Sequence, residues 1–390
     1  MTLLAFVFWL SCALLVWTQV GYRLALGLVA RLRAAGPARE LEPPAAEREL
    51  RAPSREPPVV SLIVAAHDEQ EVIAAKVANA LALDYPRERL EVIVACDGCE
   101  DETAARARQA GADLVLELPR GGKIRAQDAA VAQARGEVLA FSDANSLWDA
   151  DAATELAGAF ADRDVGYACG QVSFTAPEGA TNQEGLYWRY ELSLRELESR
   201  LSSITAGNGA IYATRRDTYI VVDPIMGHDL SLPFNIVKEG LRAVYVPAAR
   251  AREKMVPSLE GEFERKRRMM SHTWPILLRG GMLSMRGYPP GYALMIISHR
   301  LLRYGSPILH LLALVTNVAL VALGAGTVYS VALVLQLGLL AAAALGGLLP
   351  GRVLLIARYY VLTTASSAAG LWDWLRHGTS ASWEAAEGTR

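Results

Sequence analysis

Apolar and polar positions alternate on two length scales along this chain, and the longer scale comes first. From Leu3 to Val20 there is no charge, and the apolar run continues to about Ala30, broken only by Arg23. Crossing a hydrocarbon core takes about 20 apolar residues, so residues 1–33 are expected to form a transmembrane anchor. A cleaved signal peptide carries its positive charge ahead of the apolar run, whereas Arg23, Arg31 and Arg33 all follow it here. The positive-inside rule then puts the N-terminus outside and everything after Arg33 in the cytoplasm, at the cell inner (plasma) membrane. Residues 34–58 are Pro, Ala, Glu and Arg with almost no large apolar side chain. Such a stretch buries too little surface to order itself, and it reads as a disordered linker.

From Val59 the pattern shortens. Val59–Val64, Glu91–Ala95, Leu114–Leu116 and Glu137–Ser142 read as buried strands, and Glu71–Leu81, Asp101–Gln109 and Lys123–Ala134 as the helices between them. Strand and helix in alternation predict an α/β fold built on parallel strands. Ligands of such sheets bind beyond the carboxyl ends of strands. The chain puts His67-Asp68-Glu69, Asp97-Gly98 and Asp143-Ala144-Asn145 at those ends.

Long apolar runs return after about Tyr292. Ser306–Leu323 and Val328–Leu349 are long enough to span. Val353–Trp372 carries Arg358 in its interior, at a cost of about 2.5–3.5 kcal/mol on insertion scales, and is open to spanning or lying at the interface. The expected organisation is an anchor at 1–33, a linker at 34–58, a domain at 59–260, amphipathic interfacial helices at 261–291, membrane helices at 292–375 and a tail at 376–390. That makes a multi-pass protein whose main domain is cytoplasmic.

Composition agrees with this reading. Of 390 residues 52% are hydrophobic, which is high for a purely soluble enzyme. The net charge of −2 offers no basic excess for a phosphate backbone, so nucleic acid is not an expected partner. Cys96 and Cys99 form a C-x-x-C, but the sequence shows no second pair or His cluster to complete a zinc site. They read as two reduced thiols.

Phe141-Ser142-Asp143-Ala144-Asn145 closes a strand. Residues two apart in extended backbone point the same way, so Asp143 and Asn145 face one space, where two oxygen ligands suit Mg²⁺ or Mn²⁺ and a diphosphate. An ordinary Asp/Asn turn is the alternative. Gly121-Gly122-Lys123 lacks the spacing and hydroxyl of a Walker loop, and no G-x-G-x-x-G follows the first strand, which argues against ATP hydrolysis and NAD binding.

Taken in order, VVSLIVAAHDEQEVI (59–73), VACDGCEDET (94–103), Gly122-Lys123 and FSDANS (141–146) resemble family 2 glycosyltransferases. The likeness continues through Gly207-Asn208-Gly209-Ala210-Ile211-Tyr212, His228-Asp229, and Arg265-Lys266-Arg267-Arg268-Met269 in the place of Q-x-x-R-W. It covers about Val59 to Met285, and the flanking helices resemble membrane-bound members of the cellulose-, hyaluronan- and chitin-synthase-like superfamily. Weak motifs in the right order make a specific signal. Two departures stand out: Asn145 replaces the second acid of D-x-D, and Arg265 and Met269 replace the Gln and Trp of processive synthases, which leaves processivity open.

The resemblance implies a GT-A fold, a Rossmann-like mixed sheet, and an inverting transfer from a UDP-sugar to a lipid-linked or growing glycan acceptor. Ala66, Glu69, Asp97, Lys123 and Asp143 would bind the nucleotide-sugar, with Asp97 on the uridine. Asp143 and Asn145 would hold Mg²⁺ or Mn²⁺. Gly207, Asn208, Gly209 and His228 would lie on the acceptor side, and Asp97, Asp143 and Asp229 would converge on one cation. Asp229 would be the base that takes the acceptor proton, although an Asp opening a helix is also a natural cap. Arg268 would stabilise the leaving diphosphate, with Arg267 contacting the membrane interface. Membrane lipids are expected partners, and other polysaccharide-assembly subunits are left open. The alternatives are a processive synthase that also secretes its polymer, and a non-catalytic membrane subunit with the same fold.

Overall fold

Seven consecutive buried positions, Val60–Ala66, form β1, and eight more, Leu90–Asp97, form β2. Strands buried on both faces are the mark of a parallel sheet covered by helices. Leucine, isoleucine and valine at 62–64 serve both faces, since Leu62 and Ile63 belong to different hydrophobic clusters. β1 pairs in parallel with β2 and with β4 (Val138–Asp143), and β2 with β3 (Leu114–Leu118). The computed structural model describes residues 1–35, 56–175, 183–254 and 259–381. Most of the expected linker and residues 382–390 of the tail lie outside the described residues.

The four strands and three helices expected before Ser142 all form, with bounds within two residues of expectation. The helices are α3 (Ile73–Leu81), α4 (Thr103–Gln109) and α5 (Lys123–Gln133), counted after α1 (Thr2–Val16) and α2 (Tyr22–Ala35). Beyond β4 come β5 (Leu147–Trp148), β6 (Val165–Thr175), β7 (Tyr212–Arg215) and β8 (Arg242–Lys254), completing an eight-stranded sheet in the order β3-β2-β1-β4-β7-β6-β8-β5. β7 runs antiparallel to both β4 and β6, and β5 antiparallel to β8, so the sheet is mixed. The chain passes from β3, on one side of β1, to β4 on the other. A crevice therefore opens at the carboxyl ends of β1, β2 and β4.

Four further helices follow β5: α6 (Ala152–Ala159), α7 (Gln183–Leu201), α8 (His228–Lys238) and α9 (Leu259–Leu278). After them come α10 (Pro290–Met295), α11 (Ser306–Ala322), α12 (Thr327–Leu345) and α13 (Arg352–His377). By length and composition, the continuous helical stretch Thr2–Arg33 and α12 are apolar and long enough to cross a membrane. The helical stretch Pro290–Tyr304 and α11 together meet the same test but are bent by 63°. α13 is instead docked along α9, where Trp274 Nε1 donates to the Ser367 carbonyl (2.9 Å) and Lys266 Nζ to Tyr359 Oη (2.7 Å).

A buried polar knot ties the N-terminal helix to the sheet domain. Glu198 on α7 accepts from Tyr22 Oη at 2.7 Å, meets His299 Nδ1 at 2.7 Å, and accepts from the Thr205 N–H and hydroxyl. Glu191, two turns earlier on the same helix face, meets His299 Nε2 and Arg303, each at 3.0 Å. Burial alone would raise the Glu191 carboxyl, yet Arg303 and His299 hold it well below the usual range.

Candidate functional site

The carboxyl end of β2 carries Asp97, whose side chain is 1% exposed. One of its oxygens accepts from the Gly121 N–H at 2.6 Å and both lie 3.0 Å from the Gly122 N–H, with Arg120 at 3.5 Å. Asp97 thus ties β2 to the loop that starts α5. Gly98 follows it with φ +60° and would place a Cβ 2.9 Å from the Arg120 backbone. Only glycine avoids both penalties there.

That loop aims Lys123, the first residue of α5, at Asp143 on the end of β4. Lys123 Nζ and Asp143 Oδ1 form a direct ion pair. Burial alone would lower the Lys123 pKa, but Asp143, then Asp229 and Glu253, hold it above the usual lysine value. On the far side, a Cβ on Gly209 would lie 3.2 Å from Lys123 Nζ and 3.5 Å from Asp143 Oδ2, so the Gly207–Gly209 loop closes directly over this pair. Asn208 is buried and shapes that loop rather than the surface. Its Oδ1 accepts from the Ala210 and Ile211 N–H groups, and its Nδ2 donates to the Gly170 carbonyl. The Gly207 N–H donates to the Asp229 carbonyl at 2.7 Å, which joins the loop to the first turn of α8.

Asp229 is the second residue of α8, and Gly227 is the helix cap. Burial raises its carboxyl pKa, while Lys123 pulls it down and Asp143 pushes it up again. His228 points the other way. It is 2% exposed, with Tyr212 Oη 3.1 Å from Nδ1 and Tyr219 Oη 3.2 Å from Nε2. Burial and Lys123 lower its pKa to about 3. The expected acceptor-side position of His228 is therefore corrected: the ring is a core group enclosed by tyrosines, because the first turn of α8 packs that side onto the sheet.

The expected convergence of three acids is also revised. Asp143 and Asp229 share Lys123. Asp97 stands two strands from β4 across β1, roughly 10 Å at the usual strand spacing, and its oxygens are taken up by backbone N–H groups. Ala66 ends β1 opposite Cys96 and is fully buried, so only its backbone is available. Glu69 is 4% exposed, and its N–H donates to Thr103 Oγ1 at 2.7 Å. Asn145 is half-buried in the turn after β4.

On α9, Arg265, Arg268 and His272 share one helix face by their spacing of three and four. Arg265 pairs with Glu262 (2.8 Å) and its charge reaches Glu253. Arg268 is exposed. His272 meets the Ser380 carbonyl at 3.2 Å, and the next residue, Ala381, packs its carbonyl against Gly122. The face bearing Arg268 is thus the one that meets the Ser380–Ala381 segment, which in turn packs against Gly122. Arg267 points elsewhere and grips Asp373 of α13 through two hydrogen bonds of 2.6 and 2.9 Å; its expected interface role gives way to a helix-to-helix pair.

Two residues that sequence reasoning missed complete the cluster. Lys76 on α3 is fully buried and donates to the Ser146 carbonyl at 2.7 Å. Burial lowers its pKa to about 7 against the pull of Asp143 and Glu253. The signal was there: Ile73, Lys76, Val77 and Ala80 form the buried stripe of α3, with a lysine where an apolar residue is the rule. Glu253 on β8 has its pKa raised to about 7 by burial and by Asp143, opposed by Lys123, Arg265 and Lys76. No local pattern marks it. The C-x-x-C thiols are free cysteines as expected, but the fold brings His67 and Asp68 to within 4.8 Å of Cys99, a grouping invisible in the linear spacing. Trp274 is a core residue.

Comparison with known proteins places this geometry. The chain is 27% identical over 184 residues to glycosyltransferase AglE of Haloferax volcanii, covering 45% of this chain and 58% of that protein. It is 28% identical over 215 residues to an N-acetylglucosaminyltransferase of Rhizobium meliloti, covering 49% of this chain and 50% of that one. The chain thus spans about half the length of the curated relatives it matches. Its fold is shared with the mannosyltransferase PcManGT from Pyrobaculum calidifontis, solved in complex with GDP-Man and Mn²⁺, at a TM-score of 0.65 and 23% identity over 95% of this chain and 99% of that one. The expected GT-A architecture is thereby met. The family profile described as "Glycosyltransferase like family 2" matches residues 57–271. That match spans more than half of the chain, and on it this protein belongs to the glycosyltransferase family 2-like group.

Proposed function

We propose that this chain is a membrane-anchored, inverting glycosyltransferase. It takes a sugar from a UDP-sugar and delivers it to a lipid-linked or growing glycan acceptor at the cytoplasmic membrane face. The observation that carries the reading is the cluster of Asp143, Lys123 and Asp229 under Gly209, at the switch point of the sheet. A divalent cation, Mg²⁺ or Mn²⁺, fits the donor set there, since Asp143 and Asn145 offer oxygen ligands and Glu253 has an oxygen closed off from solvent that accepts no hydrogen bond among the described residues. When bound, the cation neutralises charge on the departing diphosphate.

The chain's own residues do the rest. Asp97 holds the Gly121–Gly122 loop, with Ala66 and Glu69 beside it, so that the nucleoside part of the donor rests against that loop. Lys123 presents a fixed positive charge to the phosphates, and Arg268 adds a second from the exposed face of α9. Asp229 accepts the proton of the acceptor hydroxyl as it attacks the anomeric carbon opposite the leaving nucleotide. The charged knot around Glu198 sets this domain against the N-terminal helix, which suits an acceptor held at the membrane.

The test is a panel of radiolabelled UDP-sugars, with GDP-mannose included, offered to membranes with and without EDTA. The expected result is transfer from one UDP-sugar, abolished by EDTA and nearly abolished in Asp143→Ala. Transfer unaffected by both would overturn the reading. Polymer length from purified protein separates single transfer from processive synthesis, and no transfer from any donor would favour a non-catalytic subunit.

A further inference from the structure

The turn after β4 offers the cation one carboxylate and one amide, Asp143 and Asn145, which is half the negative charge that two acids would bring. Lys123 engages Asp143 Oδ1, while Oδ2 faces Gly209. β8 passes close by. Its Arg252 and Ala251 pair with Leu147 and Trp148 of β5, so Glu253 lies one residue farther along β8, level with the turn that carries Asn145 and Ser146. Its charge is also felt by Lys76 and by Lys123. Its Oε1 is shut off from solvent and accepts no hydrogen bond among the described residues. A buried carboxylate oxygen without a donor is a costly arrangement, and a bound cation is one partner that satisfies it. Hard divalent cations take their ligands from oxygens of this kind.

We propose that Glu253, reaching in from β8, is the second carboxylate ligand of the divalent cation held by Asp143, making up the charge that Asn145 does not supply. This rests on the metal-dependent reading of the site given above. The ligand set then draws on two strands remote in sequence, and β8 becomes part of the donor site rather than an edge support. Lys76 and Arg265, whose charges oppose that of Asp143 on Glu253, act here as positioning residues that keep two carboxylates close before the cation arrives.

The experiment measures Mn²⁺ binding to the full chain in detergent, by loss of the free-ion electron paramagnetic resonance signal, in the parent, Asp143→Asn, Glu253→Gln and Glu253→Cys. Glu253→Gln is expected to weaken Mn²⁺ binding about 10-fold or more, the scale seen when even outer partners of a metal site are lost. Glu253→Cys replaces a hard ligand with a soft one. It is expected to shift preference from Mn²⁺ to Cd²⁺ and to add a thiolate-to-cadmium ultraviolet band beyond any that the parent's own four cysteines give. The cysteine variant decides the matter if Glu253→Gln fails to fold. Parent-like Mn²⁺ affinity in Glu253→Gln, or no new band in Glu253→Cys, overturns the assignment of Glu253. If Asp143→Asn also binds Mn²⁺ like the parent, the metal reading of the whole site falls with it; if Asp143→Asn alone loses binding, only the role of Glu253 does.

Discussion

At Asp229 burial and Asp143 favour the neutral acid, and Lys123 favours the anion, with burial the larger effect. A base must be ionised to work, so transfer is expected to fall as the pH drops, with its inflection above that of an ordinary aspartate. The stability sign is the reverse of the usual carboxylate case. A folded-state pKa above the unfolded one means the fold is stabilised by protonation at low pH, and that benefit is lost as the pH rises through the raised value. Asp229→Asn keeps the shape and removes the charge. It is expected to slow transfer about 10²–10⁴-fold, the usual range for a general base, while the melting temperature at neutral pH stays level or rises. A matching loss of both in a pH-resolved assay and thermal melt would mark Asp229 as structural only. Glu253 and Lys76, each with a pKa of about 7, lie in the same field, so the acidic limb of the profile belongs to the cluster as a whole.

The helix α9 shows how one element can carry two unrelated jobs on two faces. Arg265 and Arg268 share the face on which His272 meets Ser380, while Arg267 is engaged by Asp373 of α13. The expected contrast is sharp. Arg268→Ala should lower the turnover number about 10²-fold, in line with losing one charge-stabilising donor, with little change in thermal stability. Arg267→Ala should leave turnover near the parent value and cost at most about 1 kcal/mol in unfolding free energy, because this ion pair is part-exposed. Steady-state kinetics and thermal melts on the two variants check the pair together. Equal effects on turnover would show that the two faces are not divided in this way.

At the scale of the whole molecule, a buried charged set holds the N-terminal helix to the sheet domain. Glu198 is fully buried and contacts Tyr22 from the N-terminal helix, Thr205 from the sheet domain and His299 from the C-terminal region. Removing one member of a buried charged set strands the others, at about 3–5 kcal/mol. Glu198→Ala is therefore expected to lower the unfolding temperature of detergent-solubilised protein and to open α2 to protease, while Asp162→Ala, at an exposed pair with Arg242, should do neither. The proposed orientation adds an outcome at the same scale. A cysteine placed at Thr2 should react with an impermeant thiol reagent on intact cells, and one at Glu264 only after permeabilisation. The opposite pattern would invert the topology drawn from Arg23, Arg31 and Arg33.

What the linear chain determined is what depends on near neighbours. Short apolar runs alternating with helical stretches placed the first four strands and the helices between them, because burial in a covered sheet is a local demand on composition. The unbroken apolar run at Leu3–Val20 marked a helix long and apolar enough to cross a membrane, for the same reason. Ordered motifs also marked Asp143, Lys123 and Asp229, which the fold does bring together. Only the tertiary structure decided the rest. It spends Asp97 on the Gly121 and Gly122 amides, turns His228 inward between two tyrosines, and seats Lys76 and Glu253 around Asp143. Those outcomes turn on strand order and on the β5–β8 register, which join residues about a hundred positions apart. No local pattern encodes such a pairing, since it is the sum of all the packing around it that selects which distant strand lies alongside.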